Sequence, residues 1–363
     1  MGYIRIALAS SVLFGHFLPN GLSVLPANAA VQGFFLISGF YIFLILDTKY
    51  AKASTFYLNR ALRIYPSYLF VLGCALTAAM LLGAAAHYLT LGEMISRYGQ
   101  MSWPSAAFLL FTNLTMICQD WVMYLYIDGG KSLAWTPTFY READPAYRML
   151  IVPQAWSLGI EIAFYMLAPF LVRLKTHSLI ILVVCSFSAR LYVYFRGLPY
   201  YADPWNYRFF PFEVSLFVIG GLMYRASVQF RSHVTNPRIA NTLTIMLLAY
   251  CAGFALLTDA RYHMFVIKYD VFIAMLAISL PFLYRGQSFK GVNKFLGELS
   301  YPIYINHLFV MNLIFVFKPN WSNQYLFFVT GVGGSVMLAV VMTKYIEETI
   351  DNLRQKIARR AML

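Results

Sequence analysis

The chain has 363 residues, of which 60% are hydrophobic and only 12% are charged. Soluble domains carry about 25% charged residues, so this composition excludes an ordinary soluble protein. The formal net charge is +13, but the basic residues are distributed between apolar runs rather than gathered in one patch. This placement is typical of the positive-inside distribution of membrane proteins and excludes nucleic acid as a partner.

Apolar runs follow one another along the sequence, and each is long enough to cross a hydrocarbon core of roughly 30 Å as a helix. The alternating short segments of a transmembrane barrel do not occur in the sequence. We therefore predict an all-α polytopic membrane protein with a single membrane-embedded domain over residues 1–363. The ten predicted spans lie near residues 3–19, 30–46, 64–86, 154–172, 178–196, 208–225, 240–258, 264–284, 299–317 and 324–344.

If the N-terminus is cytoplasmic, most of the 28 lysines and arginines fall in cytoplasmic segments. An eleventh span over residues 105–127 would invert all later segments. That stretch is therefore predicted to be a re-entrant or interfacial helix within an outer segment of about 87–153. Both termini are then cytoplasmic, and residues 345–363 form a charged amphipathic tail at the inner surface. The four cysteines are far apart, which predicts neither disulfides nor a metal site.

The first span carries two ionisable residues, Arg5 and His16. Eleven helical steps place both side chains on one face, about 16 Å apart along the axis. Arg5 then lies at the cytoplasmic end, and His16 lies deep, toward the outer side. An imidazole can act as a general base or accept an acyl group, because its pKa is near neutral. The alternative is a snorkelling arginine with a hydrogen-bonded buried histidine.

Two further motifs lie in this part of the chain, one at the cytoplasmic side of the third span and one inside the second span. Arg60 and Arg63, three residues apart, project to neighbouring positions on a helix and suit a phosphate group, or else act as a positive-inside anchor. Pro66 is predicted to open the third span. Within the second span, Ser38 and Gly39 allow a close backbone approach or a local kink, with helix packing against a small residue as the alternative.

The fourth span opens with Trp156, and Ser157, Glu161 and Tyr165 follow at spacings of four, so they share one helix face. Glu161 suits an acid–base role or binding of a substrate hydroxyl, and an ion pair with an arginine is the alternative.

The ninth span carries three polar residues on one face: Ser300, Tyr304 and His307. His307 lies well inside that span. Glu213 and Asp270 are further acidic residues in or near the membrane, and structural ion pairing is predicted for both.

Taken in order, these motifs resemble the acyltransferase-3 family of integral membrane acyltransferases. The resemblance rests on Arg5 with His16, on "FFLISGF", on the run containing Arg60 and Arg63, on "WSLGIEIAFY" with Glu161, and on "LSYPIYINH" with Tyr304 and His307. It implies transfer of an acyl group, most often acetyl from acetyl-CoA, to a hydroxyl of a cell-surface or exported glycan. It also implies that Arg5 and His16 lie at the transfer site and that Arg60 and Arg63 lie near the coenzyme. Ser38 and Gly39 are grouped with Arg60 and Arg63 as expected coenzyme-binding residues.

These implications lead to a specific expectation. Acetyl-CoA enters from the cytoplasm as acyl donor, a glycan or lipid-linked saccharide is the acceptor, membrane lipids surround the chain, and no metal takes part. Glu161 acts with Arg5 and His16, while Trp156, Ser157, Tyr165, Tyr304 and His307 support the acceptor side. Direct attack with His16 as base and an acyl-histidine intermediate both stay open. The competing function is a transporter or flippase of a glycan or small metabolite. The expected location is the inner (plasma) membrane.

Overall fold

A computed structural model describes residues 1–19, 24–50, 52–83, 89–196, 203–254, 262–287, 290–318 and 323–360. For residues 194, 262–267 and 358–360 it describes the backbone alone. The α-helices within these ranges are α1 (Gly2–Phe17), α2 (Ala27–Thr48), α3 (Ala53–Leu82), α4 (Leu91–Gln100), α5 (Trp103–Thr115), α6 (Trp156–Leu171), α7 (Thr176–Phe195), α8 (Phe210–Gln229), α9 (Pro237–Gly253), α10 (Tyr262–Gly286), α11 (Gly291–Phe317), α12 (Gln324–Met342) and α13 (Glu348–Arg360).

The predicted all-α membrane architecture agrees with this helical fold, since each of the ten predicted spans lies largely on one helix. By length and apolar composition, six described helical stretches are able to cross a membrane. They are Ala27–Thr48, Ala53–Leu82, Thr176–Val193, Lys268–Gly286, Gly291–Phe317 and Gln324–Ile357. The total of ten crossings and the cytoplasmic position of the termini therefore stay predictions.

Helix α2 lies at the centre of the bundle and packs against α8 with almost no side chain between the two backbones. A Cβ atom on Gly39 would lie 1.9 Å from the Phe217 carbonyl oxygen, and one on Gly220 would lie 2.1 Å from that of Leu36. Only glycine permits this approach, which is the small-residue packing that helices use in lipid. Gly39 thus serves the contact between α2 and α8.

Helix α7 lies at the edge of the bundle and exposes large apolar side chains on its outer face, including Ile181, Val184, Leu191 and Phe195. Such a surface is unfavourable in water and suits contact with lipid tails.

Two of the sequence predictions about helix boundaries are wrong. Helix α3 begins at Ala53 and contains Pro66 in its interior, so Pro66 does not open this helix. A proline inside a helix removes one backbone hydrogen bond, but Ile64, Ser67 and Tyr68 are buried on both sides of it, and their packing holds the helix together. The second concerns residues 105–127, which were predicted to form a re-entrant or interfacial helix.

Residues 105–127 do not form one helix. Helix α5 ends at Thr115, where Met116 and then Cys118 adopt φ angles of 59° and 58°. A 3-10 helix (Asp120–Tyr124) follows, and strand β1 (Leu125–Asp128) pairs antiparallel with β2 (Ser132–Trp135). The aromatic and β-branched residues of this stretch favour a strand. At 13 residues, α5 is too short to cross the membrane.

A buried ion pair joins α7 to α8. Arg190 Nη2 lies 2.6 Å from Glu213 Oε1, with the two side chains 8% and 0% exposed. Gln32 on α2 also donates to both oxygens of Glu213, at 2.9 and 2.8 Å. The structural pairing predicted for Glu213 is confirmed. Asp270 is exposed and forms no ion pair in the part of the chain described, so the pairing predicted for it is wrong.

The C-terminal tail is helical and does not stand apart from the bundle. A π-helical turn (Thr343–Glu347) continues α12 into α13, and α13 packs against α3.

Candidate active site

A cavity of about 480 Å³ lies among α1, α2, α3, α6, α10, α11 and α13. Its lining on α2 extends from Val31 to Ile45, which is about 21 Å at 1.5 Å per residue, and Lys49 just beyond the helix end adds to it. At one end, here called the open end, the lining includes Gln355, which is exposed. At the other, the buried end, Ser157 and Tyr304 are 5% and 7% exposed. The predicted site residues in the lining are Arg5, Ser38, Arg60, Arg63, Ser157, Glu161, Tyr165 and Tyr304.

Two hydroxyl groups form the buried end of the cavity. The oxygens of Ser157 and Tyr304 are 2.6 Å apart, and Tyr304 donates to the backbone carbonyl of Gln154 at 2.8 Å. Each hydroxyl has one proton, so Ser157 donates to Tyr304 when Tyr304 donates to Gln154. The Gln154 side chain in turn donates to the carbonyl of Ile305 at 2.6 Å. These bonds connect the start of α6 with the middle of α11.

Glu161 occupies the middle of the cavity wall and is held by hydroxyl groups rather than by an arginine. Ser38 and Tyr165 both donate to Glu161 Oε1, each at 2.5 Å. Among the described residues, Glu161 forms no ion pair, and its second oxygen, Oε2, accepts no hydrogen bond. The alternative prediction, an ion pair between Glu161 and an arginine, is therefore not found among the described residues. Oε2 is available to bind a hydroxyl group of a ligand.

Cationic side chains gather toward the open end. Arg5, Lys49, Arg60 and Arg63 line the cavity. The Arg5 guanidinium forms neither an ion pair nor a hydrogen bond within the described part of the chain, although Glu161 and Arg63 lie within electrostatic range of it. Arg60 Nε is buried without a partner among the described atoms, and the guanidinium lies 5.9 Å from the centre of the Tyr165 ring.

Arg63 differs from Arg60, because a carboxylate already neutralises it. Arg63 Nη1 lies 2.6 Å from Glu347 Oε2, and Ser67 donates to Glu347 Oε1 at 2.6 Å. The two arginines are neighbours on α3, as their spacing predicts, but they do not form an equivalent pair. Arg60 is the one with unused donors.

The two predicted histidines lie together outside the cavity lining. The ring centroids of His16 and His307 are 4.9 Å apart, and those of His307 and Tyr304 are 6.0 Å apart. His16 is exposed, whereas His307 is fully buried. Because a carbonyl only accepts, His307 Nδ1 donates to the Tyr304 backbone oxygen at 2.7 Å. Ring contacts therefore connect Tyr304, which lines the cavity, through His307 to His16.

Trp156 lies near this histidine pair but does not line the cavity. The Arg208 guanidinium stacks 4.3 Å from the centre of the Trp156 ring and donates to Asp203 at 2.5 and 2.9 Å. Arg208 lies within electrostatic range of both His16 and Tyr304. Gly39 is also absent from the cavity lining, since it faces α8.

The sequence analysis missed three polar residues of this region: Arg208, Glu347 and Arg354. Arg208 follows "ADPWNY", an aromatic-rich segment with an acid five residues earlier, and that pattern was a usable signal. Glu347 and Arg354 belong to a stretch that reads as an ordinary charged tail.

The arrangement separates two kinds of chemistry along one cavity. Guanidinium groups at the open end suit phosphate oxygens. The hydroxyl groups at the buried end and the Glu161 carboxylate in the middle of the wall suit carbonyl and hydroxyl groups of a ligand. The histidine pair beyond Tyr304 is able to accept a proton.

Comparison with known proteins gives one match. A family model described as an acyltransferase domain matches residues 1–344 of the chain. No curated protein and no solved structure matches the chain significantly. The matched region contains every predicted site residue, from Arg5 to His307. The chain therefore belongs to the acyltransferase-3 family and is a multi-pass membrane acyltransferase.

Proposed function

We propose that the protein transfers an acetyl group from cytoplasmic acetyl-CoA to a hydroxyl of a cell-surface or exported glycan, across the inner membrane. The observation that carries this proposal is one continuous cavity with cations at its open end and hydroxyl groups at its buried end. Coenzyme A has the matching polarity, because its phosphates lie at one end and its thioester at the other, joined by a narrow arm.

In this proposal the phosphates bind near Arg60, and the arm extends along α2 past Arg5. The thioester carbonyl then reaches Ser157. When Tyr304 moves aside, the Ser157 hydroxyl loses its acceptor and donates to the carbonyl oxygen as negative charge develops there. The acceptor hydroxyl binds near Glu161 Oε2.

The transfer step uses His16 as general base. The acceptor oxygen attacks the acyl carbon while His16 takes the hydroxyl proton; the C–S bond then breaks, and the proton passes to the departing thiolate. Because Tyr304 and His307 lie between the cavity and His16, the reaction requires the Tyr304 side chain to move aside. An acyl-histidine intermediate is the second route, in which the imidazole itself attacks the thioester first.

The proposal is tested by NMR of surface glycan from a deletion strain complemented with variants. The deletion is expected to remove O-acetyl ester signals, and wild-type protein is expected to restore them. His16→Ala is expected to insert at the wild-type level and restore nothing. His233→Ala, which changes an exposed histidine, serves as the matched control and restores the signals fully. Restoration by His16→Ala would refute the role of His16.

Retention of all ester signals in the deletion strain would refute the glycan acceptor. Purified protein in proteoliposomes that moves a saccharide without acylating it would favour the transporter instead.

A further inference from the structure

The C-terminal helix α13 lies beyond the part of the chain that matches the family, which ends at residue 344. It nevertheless lines the same cavity as the predicted site residues, through Asp351, Arg354 and Gln355. These side chains lie at the open end, where Arg60 and Lys49 also line the wall. The open end is therefore built partly from a segment outside the matched domain.

Two sets of polar contacts hold α13 in this position. Next to its first turn, Glu347 accepts from Arg63 and Ser67 on α3, both at 2.6 Å. Two turns later, Arg354 Nε donates to Asn59 Oδ1 at 2.9 Å, and Asn59 Nδ2 donates to the Arg354 backbone oxygen at 3.2 Å. The Glu347 side chain is only 8% exposed, so a helix that swung away would leave the charge of Arg63 unpaired.

The charges at this end are not balanced. Arg60, Arg63 and Arg354 lie within electrostatic range of one another. Glu347 pairs with Arg63, and Asp351 pairs with Arg354, which leaves Arg60 without an anionic partner among the described residues. Lys49 adds a further positive charge on the same wall. The guanidinium groups of Arg60 and Arg354, which repel each other, are stabilised when an anion with several oxygens binds between them.

We propose that α13 is part of the donor-binding site and that Arg354, together with Arg60, binds the phosphate groups of the acyl donor. The Arg63–Glu347 ion pair is largely buried, fixes the helix and does not itself hold phosphate. Arg354 also has an acidic partner, but that partner, Asp351, has a side chain 34% exposed, and Arg354 Nη2 forms no hydrogen bond among the described residues. This inference rests on the proposed function, since the ligand is taken to be a coenzyme A thioester. It differs from the sequence-based expectation, in which Arg60 and Arg63 are the phosphate pair.

The test compares acetyl-CoA with a ligand that has the same thioester arm but lacks the phosphorylated adenosine end. Binding of acetyl-CoA and of S-acetylpantetheine, which lacks phosphates, is measured by calorimetry on full-length protein in phosphatidylcholine nanodiscs. This neutral lipid offers no anionic headgroup to compete for the cations. Arg354→Gln is expected to weaken acetyl-CoA binding about tenfold, the loss of one charge-assisted contact, and to leave S-acetylpantetheine binding unchanged.

Two further variants complete the design. Arg354→Lys retains the charge and is expected to recover part of the loss. Lys356→Gln removes an exposed charge from the same helix and is expected to change neither affinity.

The outcomes separate the proposed donor, a coenzyme A thioester, from the proposed role of Arg354 in binding its phosphates. Wild-type protein that binds S-acetylpantetheine but not acetyl-CoA would overturn both the donor and the phosphate site. Tight acetyl-CoA binding that Arg354→Gln leaves unchanged would overturn the role of Arg354 alone. The same measurement is repeated in nanodiscs that contain anionic lipid. If Arg354→Gln changes acetyl-CoA binding only in those nanodiscs, the cations bind lipid headgroups and not the donor. An equal loss of both ligands would show that Arg354 acts only through the shape of the helix and would also overturn the inference.

Discussion

The buried ion pair between Arg190 and Glu213 gives a prediction that does not depend on the function. Replacing Arg190 with methionine keeps most of the side-chain volume but leaves Glu213 buried without its cation. Glu213 is 0% exposed, so water cannot replace the lost partner. Its remaining hydrogen bonds come from Gln32.

Removing one partner of such a pair costs about 3–5 kcal/mol, because the other charge stays buried and uncompensated. We therefore expect Arg190→Met to lower the free energy of unfolding by roughly that amount. The double variant Arg190→Met, Glu213→Gln is expected to recover most of the loss, because an amide is neutral and still accepts from Gln32.

The free energy of unfolding is measured by titrating purified protein in mixed micelles from a mild detergent to dodecyl sulfate, with tryptophan fluorescence as the signal. Arg196→Met changes an exposed arginine just beyond the end of the same helix, and a change within about 0.5 kcal/mol is expected for it. A double variant as unstable as Arg190→Met would refute the reasoning, and so would a single variant as stable as wild type.

Two further predictions concern Asp120 and Tyr165. Burial raises the pKa of Asp120 to about 7, so the folded protein holds a proton there that the unfolded chain loses above about pH 4, and stability falls as pH rises through this window. In the wild type this titration lowers the unfolding free energy by about 2 to 3 kcal/mol between pH 5 and pH 8, and Asp120→Asn is expected to abolish that loss. The check is the unfolding free energy of both proteins at pH 5 and at pH 8. Parallel pH profiles for variant and wild type would contradict the assignment. Tyr165→Phe removes one hydrogen bond to Glu161 and is expected to slow acyl transfer about tenfold or more without changing the dissociation constant for acetyl-CoA. Tyr325→Phe, at an exposed site, is its control, and an unchanged rate in Tyr165→Phe would count against a role for Glu161 in the reaction.

Much of the helical fold was predictable from the apolar runs. In lipid, each run must satisfy its backbone N–H and C=O groups internally, and a helix does so. The shared face of Ser157, Glu161 and Tyr165 was also predictable, since it depends only on spacing within one helix. All three line the cavity. The hairpin at β1 and β2 was missed because a short apolar run fits either a helix or a strand.

The contacts between helices were not predictable from spacing. Ser38 donates to Glu161 across 123 positions of sequence, and Glu347 pairs with Arg63 across 284. Such pairs depend on how two helices are rotated against each other, which single-helix periodicity does not contain. For the same reason, helical spacing alone predicted equivalent roles for Arg60 and Arg63. In the structure, Arg63 pairs with Glu347, whereas Arg60 has no anionic partner among the described residues.

The close contact at Gly39 also determines which parts of the cavity wall are able to move. Ser38, which bonds Glu161, is the residue next to Gly39, and Gly39 lies directly against the α8 backbone. Helix α2 therefore has no room to shift toward α8 or to rotate, and it forms a rigid side of the passage. Under the proposed function, room for the nucleotide of the donor therefore comes from rotation of side chains on the opposite wall, on α3 and α13, and not from a movement of α2.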